Sequence, residues 1–367
     1  MEPLEGASTL EQFMMQTAVK KRTPINGSLE LLPLCNMNCD MCYVRLSREE
    51  MEANGRIRTA DEWLDIARQM QKAGVLFLLL TGGEPLLYPE FEKLYLGLKN
   101  LGMILTINTN GTLIDEHFAE FLGTHKPRRV NITLYGASTA TYSSLCHYPE
   151  GFEKAMHGIS LLQKHNVDIK LSSSLTKANQ QDMEKLLLLE KELNIPVRID
   201  TYMLPATRER MAPYDLDARV NPETAAKIRI SSLKEEMGKE TFEAYRQGIL
   251  SSVREAPDGP KAPLPMSCYA GKCSFSINWQ GEMRPCVIMT RPAISVFESG
   301  FDAAWKYITE ETDKIFLNPS CSTCRLRSVC RTCAACALLE AGSYESTPEY
   351  MCRYAAESLK QLSKDFS

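Results

Sequence analysis

The chain has 367 residues, 44% hydrophobic and 24% charged, enough for a sizeable core and for two domains. With 46 acidic against 42 basic residues its net charge is −4, which argues against nucleic acid or an anionic membrane as main partner. No stretch reaches the ~18 apolar residues of a membrane span, and the acidic start MEPLEGASTLEQFMMQ lacks the apolar run of a signal peptide, so a cytoplasmic protein is expected.

Residues 1–27 read as a leader segment with room for one small helix. Six apolar, β-rich runs follow: SLELLPL (28–34), VLFLLL (75–80), MILTINT (103–109), RVNITLY (129–135), VDIKLSSSL (167–175) and VRIDTYM (197–203). Helical patterns lie between them, including PEFEKLYLGLKNLG, TLIDEHFAEFLG, GFEKAMHGISLLQKH and NQQDMEKLLLLEKEL. In TADEWLDIARQMQKAG, Thr59 and Glu62 have capping-box spacing. Trp63, Ile66, Ala67 and Met70 then share one helical face, and Gly74 is placed to cap the end. Strand and helix alternating six times predicts an α/β fold with a parallel sheet, and nearly all-apolar strands suit a sheet covered by helices. Six units are too few for a closed eight-stranded barrel, so a partial barrel or a doubly wound sheet is expected. Either gathers ligands at the C-terminal ends of its strands, where Cys35, TGGEP, NTNGT and YGAS all fall. The alternation ends near residue 205. Residues 206–262 read as a helical connector closing in the Pro-rich linker REAPDGPKAPLP, and 263–367 as a small cysteine-rich domain.

Thirteen cysteines in a cytosolic chain point to metal or redox sites, and those from Cys268 to Cys352 cluster as ligands do. CNMNCDMC places Cys35, Cys39 and Cys42 directly after the first strand. Four thiolates close a zinc site or an iron–sulfur cluster. Three on a cubane leave one iron open to a non-protein ligand, with zinc as the plainer alternative.

With Cys35-x3-Cys39-x2-Cys42 after the first strand and Gly82-Gly83-Glu84-Pro85 after the second, the chain resembles the radical S-adenosylmethionine (radical SAM) enzymes. The resemblance implies a partial (βα)6 barrel. It also implies a 4Fe–4S cluster on Cys35, Cys39 and Cys42 whose open iron binds SAM, and a 5′-deoxyadenosyl radical that removes hydrogen from a substrate. Tyr43 matches the aromatic that often follows the third cysteine. Met41 stands where many members carry an aromatic against the adenine. Gly82, Gly83, Glu84 and Pro85 match the segment that hydrogen-bonds the SAM ammonium group; glycines admit close backbone approach, and Glu84 can complement a cation. The segment is no phosphate loop, since the Lys-Ser/Thr ending is missing. Asn108, Asn110, Thr133, Ser172 and Ser174 at strand ends are further candidates for the ribose or carboxylate, and Arg208 and Arg210 could meet an acidic peptide group.

The tail runs Cys268-x4-Cys273, Gly281-x4-Cys286, then Cys321-x2-Cys324-x5-Cys330-x2-Cys333-x2-Cys336, then Cys352. It resembles the SPASM domain, which binds two auxiliary 4Fe–4S clusters. The implied ligands are Cys268, Cys273, Cys286, Cys321, Cys324, Cys330, Cys333 and Cys352. The family's x3 cysteine falls on Ala334, so either Cys333 or Cys336 takes that role, Cys333 being the closer offset. Structural zinc is the alternative for the C-x2-C knuckles. Cys146 reads as a small buried hydrophobe.

Enzymes with this pairing mostly modify peptides or proteins, so a peptide or protein substrate is implied, with thioether or carbon–carbon crosslinking as the reaction. An auxiliary cluster would accept an electron or hold a substrate thiolate, and flavodoxin or ferredoxin would donate electrons. The 34 residues before Cys35 are too few for a leader-recognition domain of about 80 residues, which a separate protein could supply. Val287 follows Cys286 where sulfatase-maturing relatives carry an Asp base, which disfavours that chemistry. The five histidines show no metal-type spacing and no haem-binding signature is present. A sulfatase-type or tetrapyrrole-modifying enzyme is the alternative, and an electron carrier or zinc scaffold the non-enzyme alternative.

Overall fold

The computed structural model describes residues 9–204, 218–254, 262–330 and 333–364. Arg208, Arg210 and most of the Pro-rich linker lie outside them. Helix α1 (Thr9–Lys21) precedes strand β1 (Asn26–Glu30). After the cysteine loop come α2 (Arg48–Asn54), α3 (Ala60–Ala73), β2 (Phe77–Thr81), α4 (Phe91–Asn100) and β3 (Ile104–Thr109). Then follow α5 (Glu116–Thr124), β4 (Arg129–Thr133), α6 (Thr139–Cys146), α7 (Gly151–Lys164), β5 (Ile169–Ser174), α8 (Met183–Leu193) and β6 (Val197–Asp200). All six strands run parallel and lie in sequence order. A doubly wound sheet reverses its strand order at a switch point; this one does not, and the partial barrel is the observed form.

The local signals act as the sequence implies. Thr59 and Glu62 close a reciprocal capping box on α3, and Gly74 ends it in the left-handed conformation with its amide on the Gln71 and Met70 carbonyls. Trp63, Ala67 and Met70 on that helix are fully buried. The strands differ from the all-apolar expectation. From β3 onward they alternate: Leu105, Ile107, Val130, Ile132, Leu171, Val197 and Ile199 pack under the helices. Thr106, Asn108, Asn131, Thr133, Lys170, Ser172, Arg198 and Asp200 line a cavity of about 440 Å³ inside the barrel. A half-closed barrel leaves its concave side open to ligand and water, so only the convex side needs apolar cover. Helix α1 borders this cavity through Met15 and through Glu11, which accepts from Arg128 at 2.9 Å.

The C-terminal third carries α9 (Pro222–Met237), α10 (Lys239–Arg254), and then the short pair β7 (Leu264–Pro265) and β11 (Phe316–Leu317). Between those two strands lie β8 (Ser274–Ile277), β9 (Glu282–Arg284), β10 (Ile294–Ser295), α11 (Val296–Ser299) and α12 (Phe301–Thr312). Helices α13 (Ala334–Ala341) and α14 (Glu349–Leu362) close the described chain. Strand β8 pairs parallel with the outer edge of β1, and β9 and β10 continue antiparallel, so the barrel sheet grows to nine strands. Just before α9, Arg219 is buried against Glu340 at 3.0 Å and stacks 3.6 Å from the Tyr350 ring, tying the start of α9 to α13 and α14. Among the described residues, no helix is long and apolar enough to cross a membrane.

The β1–β8 seam depends on a residue with no side chain. Gly27 lies opposite Phe275, and a Cβ there would come within 2.3 Å of the ring. Gly27→Ala is expected to destabilise the fold by about 1–3 kcal/mol through overpacking, read as a lower urea midpoint with unchanged slope.

Candidate active site

The cysteine loop leaves β1 through Leu31–Leu34 and is fixed at both ends. Leu31 donates its amide to the Thr81 carbonyl at 2.9 Å, and Leu46 to that of Pro33 at 3.0 Å. Within the loop the Cys42 amide donates to the Cys39 carbonyl at 3.0 Å. Cys39 is buried, Cys35 and Cys42 half-buried. Burial pushes the Cys35 thiol up to about 12, and the charges of Glu84, Cys42 and Cys39 add to the shift. Backbone donors are aimed at them: Met37 N–H at Cys35 Sγ (3.4 Å) and Arg45 N–H at Cys42 Sγ (3.3 Å). A buried thiol stays protonated on its own, whereas binding to metal expels the proton. Three thiols on one tight loop, with amides directed at their sulfurs, fit a cluster that takes three protein ligands.

The Gly-Gly-Glu-Pro turn has a structural role more specific than flexibility. A Cβ on Gly83 would lie 2.2 Å from the Leu34 carbonyl oxygen, and one on Gly82 would lie 2.5 Å from that of Leu32. The close approach the glycines permit is to the chain's own entry into the cysteine loop. Gly83 N–H donates to Leu32 O at 2.7 Å and Glu84 N–H to Leu34 O at 2.9 Å. Pro85 is buried and opens a short 3-10 turn, Pro85–Leu87. The Glu84 carboxylate is fully buried and accepts from Thr109 Oγ1 (2.6 Å), Asn110 N–H (2.8 Å) and Leu86 N–H (3.2 Å). Burial raises it to about 7, against the pull of those donors. Its oxygens are thus directed at the loop after β3.

Asn110 carries the link onward. Its Nδ2 donates to Asn36 Oδ1 at 2.9 Å and faces Cys35 Sγ at 3.7 Å, while its Oδ1 accepts from the Thr112 amide and hydroxyl. Asn36 in turn donates to Thr112 at 2.8 Å. Asn36, Thr109 and Thr112 are site residues that the sequence reading missed; Thr109 and Thr112 belong to the polar run NTNGT beside the Asn108 and Asn110 it noted, and Asn36 follows the first loop cysteine.

Asn108, Thr133 and Ser172 do not touch this network. They line the barrel cavity, where Asn108 Oδ1 accepts from Asn131 at 2.7 Å. A second cavity, of about 520 Å³, begins at Ser174 and shares Arg198 and Asp200 with the first. Met41 and Tyr43 of the cysteine loop form one wall, Thr201, Tyr202 and Met203 another, and Val287, Ile288 and Cys333 a third. Tyr43 packs on the apolar cluster of the C-terminal third.

The tail cysteines fall into two neighbourhoods. Cys286 lies within electrostatic range of Cys333 and Cys268, and Cys273 within range of Cys268. Cys321, Cys324, Cys330 and Cys352 form the other set. Burial raises Cys286 to about 11, although the amides of Met289 and Ile288 face its sulfur. Cys273 is fully buried among Met15, Ala18 and Ile25 under α1. Cys333 is held below the usual thiol range by donors, first the Cys336 thiol and then the amides of Cys336 and Ala335 at the start of α13. Cys336 is fully buried beside Tyr202, while Cys333 lines the cavity.

Residues 29–204 match the model of the Radical SAM superfamily, and the chain is a radical SAM enzyme whose cofactors are SAM and 4Fe–4S clusters. It is 24% identical over 334 residues to the AdoMet-dependent heme synthase of Methanosarcina barkeri, covering 88% of this chain and 94% of that one. In structure it is similar to Streptococcus suis SuiB bound to its precursor peptide SuiA, with TM-score 0.67, 16% identity, and 94% of this chain and 80% of that one covered. It is also similar to anSMEcpe with bound AdoMet, with TM-score 0.69, 18% identity and 92% of each chain covered. Zinc scaffold and simple electron carrier are thereby set aside.

Two outcomes follow. Gly83→Ala forces its methyl into the Leu34 carbonyl, so iron per chain after anaerobic reconstitution is expected to fall by about four. For Glu84 the sign is that of a carboxyl raised in the folded state. It contributes stability below its unfolded value near 4.5, and this is lost as pH rises toward about 7. The stability of wild type relative to Glu84→Gln is therefore expected to decline across that window, by at most about 1.4 kcal/mol per pH unit, as read from urea unfolding at stepped pH.

Proposed function

We propose that the enzyme modifies a side chain of a peptide or protein, and that the reacting residue enters the 520 Å³ cavity between the cysteine loop and Cys333. The observation that carries this reading is the make-up of the cavity wall. Strand β6 ends the sheet on this side, and the chain leaving it, Thr201–Leu204, lines the cavity. An extended peptide lying along the end strand of a sheet is a recurrent mode of recognition, and the volume falls within the range of small-ligand sites. The peptide bound to SuiB supports the same choice.

Cys35, Cys39 and Cys42 would hold a 4Fe–4S cluster that, with SAM bound, would supply the chemistry for removing a hydrogen atom from the substrate. The protein's part is positioning. Asn108, Thr133 and Ser172 line the barrel cavity together with α1 and the first residues of β1, β2 and β4, and Met41 and Tyr43 form the apolar side of the proposed reaction space. Cys268, Cys273, Cys286 and Cys333 would hold one auxiliary cluster at the far wall, and Cys321, Cys324, Cys330 and Cys352 a second. Val287 and Ile288 beside Cys286 keep that wall apolar.

A second reading has its own support. Arg198 and Arg229 line the same cavity, paired with Asp200 and Glu236, and could receive carboxylates of a tetrapyrrole, the substrate class suggested by the heme synthase relative. Anaerobic turnover with SAM and dithionite separates the two, using a short peptide encoded beside the gene and a tetracarboxylate porphyrin as probes. The peptide is expected to stimulate 5′-deoxyadenosine formation and to lose two mass units. Mass loss from the porphyrin with an unchanged peptide would overturn the peptide reading in favour of the second.

A further inference from the structure

The cavity inside the barrel carries more positive charge than packing explains. Its floor is built from Asn26 and Phe77, the first residues of β1 and β2, with Glu11 and Met15 of α1. Strand register sets its wall in layers. Thr106 pairs with Arg129, and Asn131 pairs with Asn108 on one side and Lys170 on the other. In the next layer Ser172 lies between Thr133 and Arg198. Cations from three neighbouring strands, with Arg128 at the floor, thus share one space of about 440 Å³. In a closed barrel such inward positions hold packed, branched apolar side chains. Here four cations line the cavity with two carboxylates, Glu11 and Asp200, in a chain whose net charge is −4.

The ion pairs engage little of this donor capacity. Among the described residues, the Arg128 guanidinium donates only through Nη2, to Glu11 at 2.9 Å, and that of Arg129 only through Nε, to Asp168 at 3.1 Å. A guanidinium carries five N–H donors, so most of each fork remains for another acceptor. The two side chains are 34% and 30% exposed, within reach of a solute. SAM is a poor occupant, because its sulfonium and ammonium groups are cationic. We propose that this cavity is a second ligand site, separate from that of SAM, for a small polyanion bearing phosphate or carboxylate groups, held by Arg128, Arg129 and Lys170. Planar guanidinium forks match either oxyanion in pairs of hydrogen bonds, and an ammonium adds a point charge. The volume lies within the range of small-molecule sites. Glu11 is a built-in competitor, whose carboxylate the ligand displaces from Arg128.

The test is calorimetric titration of the reconstituted, SAM-saturated holoprotein with two probes, inorganic pyrophosphate and tricarballylate. Saturation with SAM keeps both probes from the open iron. At least one of them is expected to bind once per chain, and the tighter of the two tells phosphate from carboxylate as the preferred group. Lys170→Met and Arg129→Gln are each expected to weaken that binding about tenfold, with urea midpoints near wild type. Glu11→Gln removes the competing carboxylate and is expected to tighten binding up to about fivefold, a gain that damage to the fold would not produce. No binding of either probe at millimolar concentration, or binding unchanged in both Lys170→Met and Arg129→Gln, would overturn the inference.

Discussion

One buried carboxylate holds the catalytic end of the barrel together. Glu84 belongs to the turn after β2, yet both its oxygens are bonded to the loop after β3, and its own amide is bonded to the exit of β1. Three strand ends therefore meet at one residue with no exposure to water. In such a setting each hydrogen bond is stronger and each missing partner costlier than at the surface. Asn110 extends the same network to Asn36 and Cys35. The position of the cysteine loop is thus fixed by charge and hydrogen bonds as much as by its own turns.

Much of this end of the molecule was legible from residue pattern. The six strands, the capping box at Thr59 and Glu62, and the turn at Gly74 are local features, decided by neighbours within a few residues. Helix α2 carried the same capping signal, Ser47 with Glu50, but is too short to show a face. Helix α6, with sequence TATYSSLC, is weakly amphipathic and left no periodic mark. The pairing of Gly27 with Phe275 joins segments about two-thirds of the chain apart, and separation of that kind leaves no trace in periodicity. The meaning of Gly82 and Gly83 was hidden for a similar reason. Their close neighbour is a carbonyl some fifty residues earlier, and the sequence alone offers a ligand as the natural explanation.

The same frame serves relatives with different substrates, one named for heme and others seen with peptides. A fold of this kind places cofactors; the choice of substrate rests on the walls of the cavity between them. Here those walls come from three sources: the cysteine loop, the end strand of the barrel, and the segment Val287–Ile288 with Cys333. Because the last of these belongs to the C-terminal third, the lining of this cavity can change there without disturbing the Glu84 network.

The parallel β1–β8 pair has a consequence for the order in which the protein is made. Strand β1 is synthesised long before its outer partner, which starts at Ser274. Until then the growing chain carries an uncovered sheet edge beside its first three thiols, a state open to wrong pairing. The strand that ends this exposure lies between Cys273 and Cys286, so the edge is covered before Cys321–Cys352 are made. Premature truncation between the cysteine loop and β8 would leave a product with its first cysteine loop complete and its barrel edge unsealed.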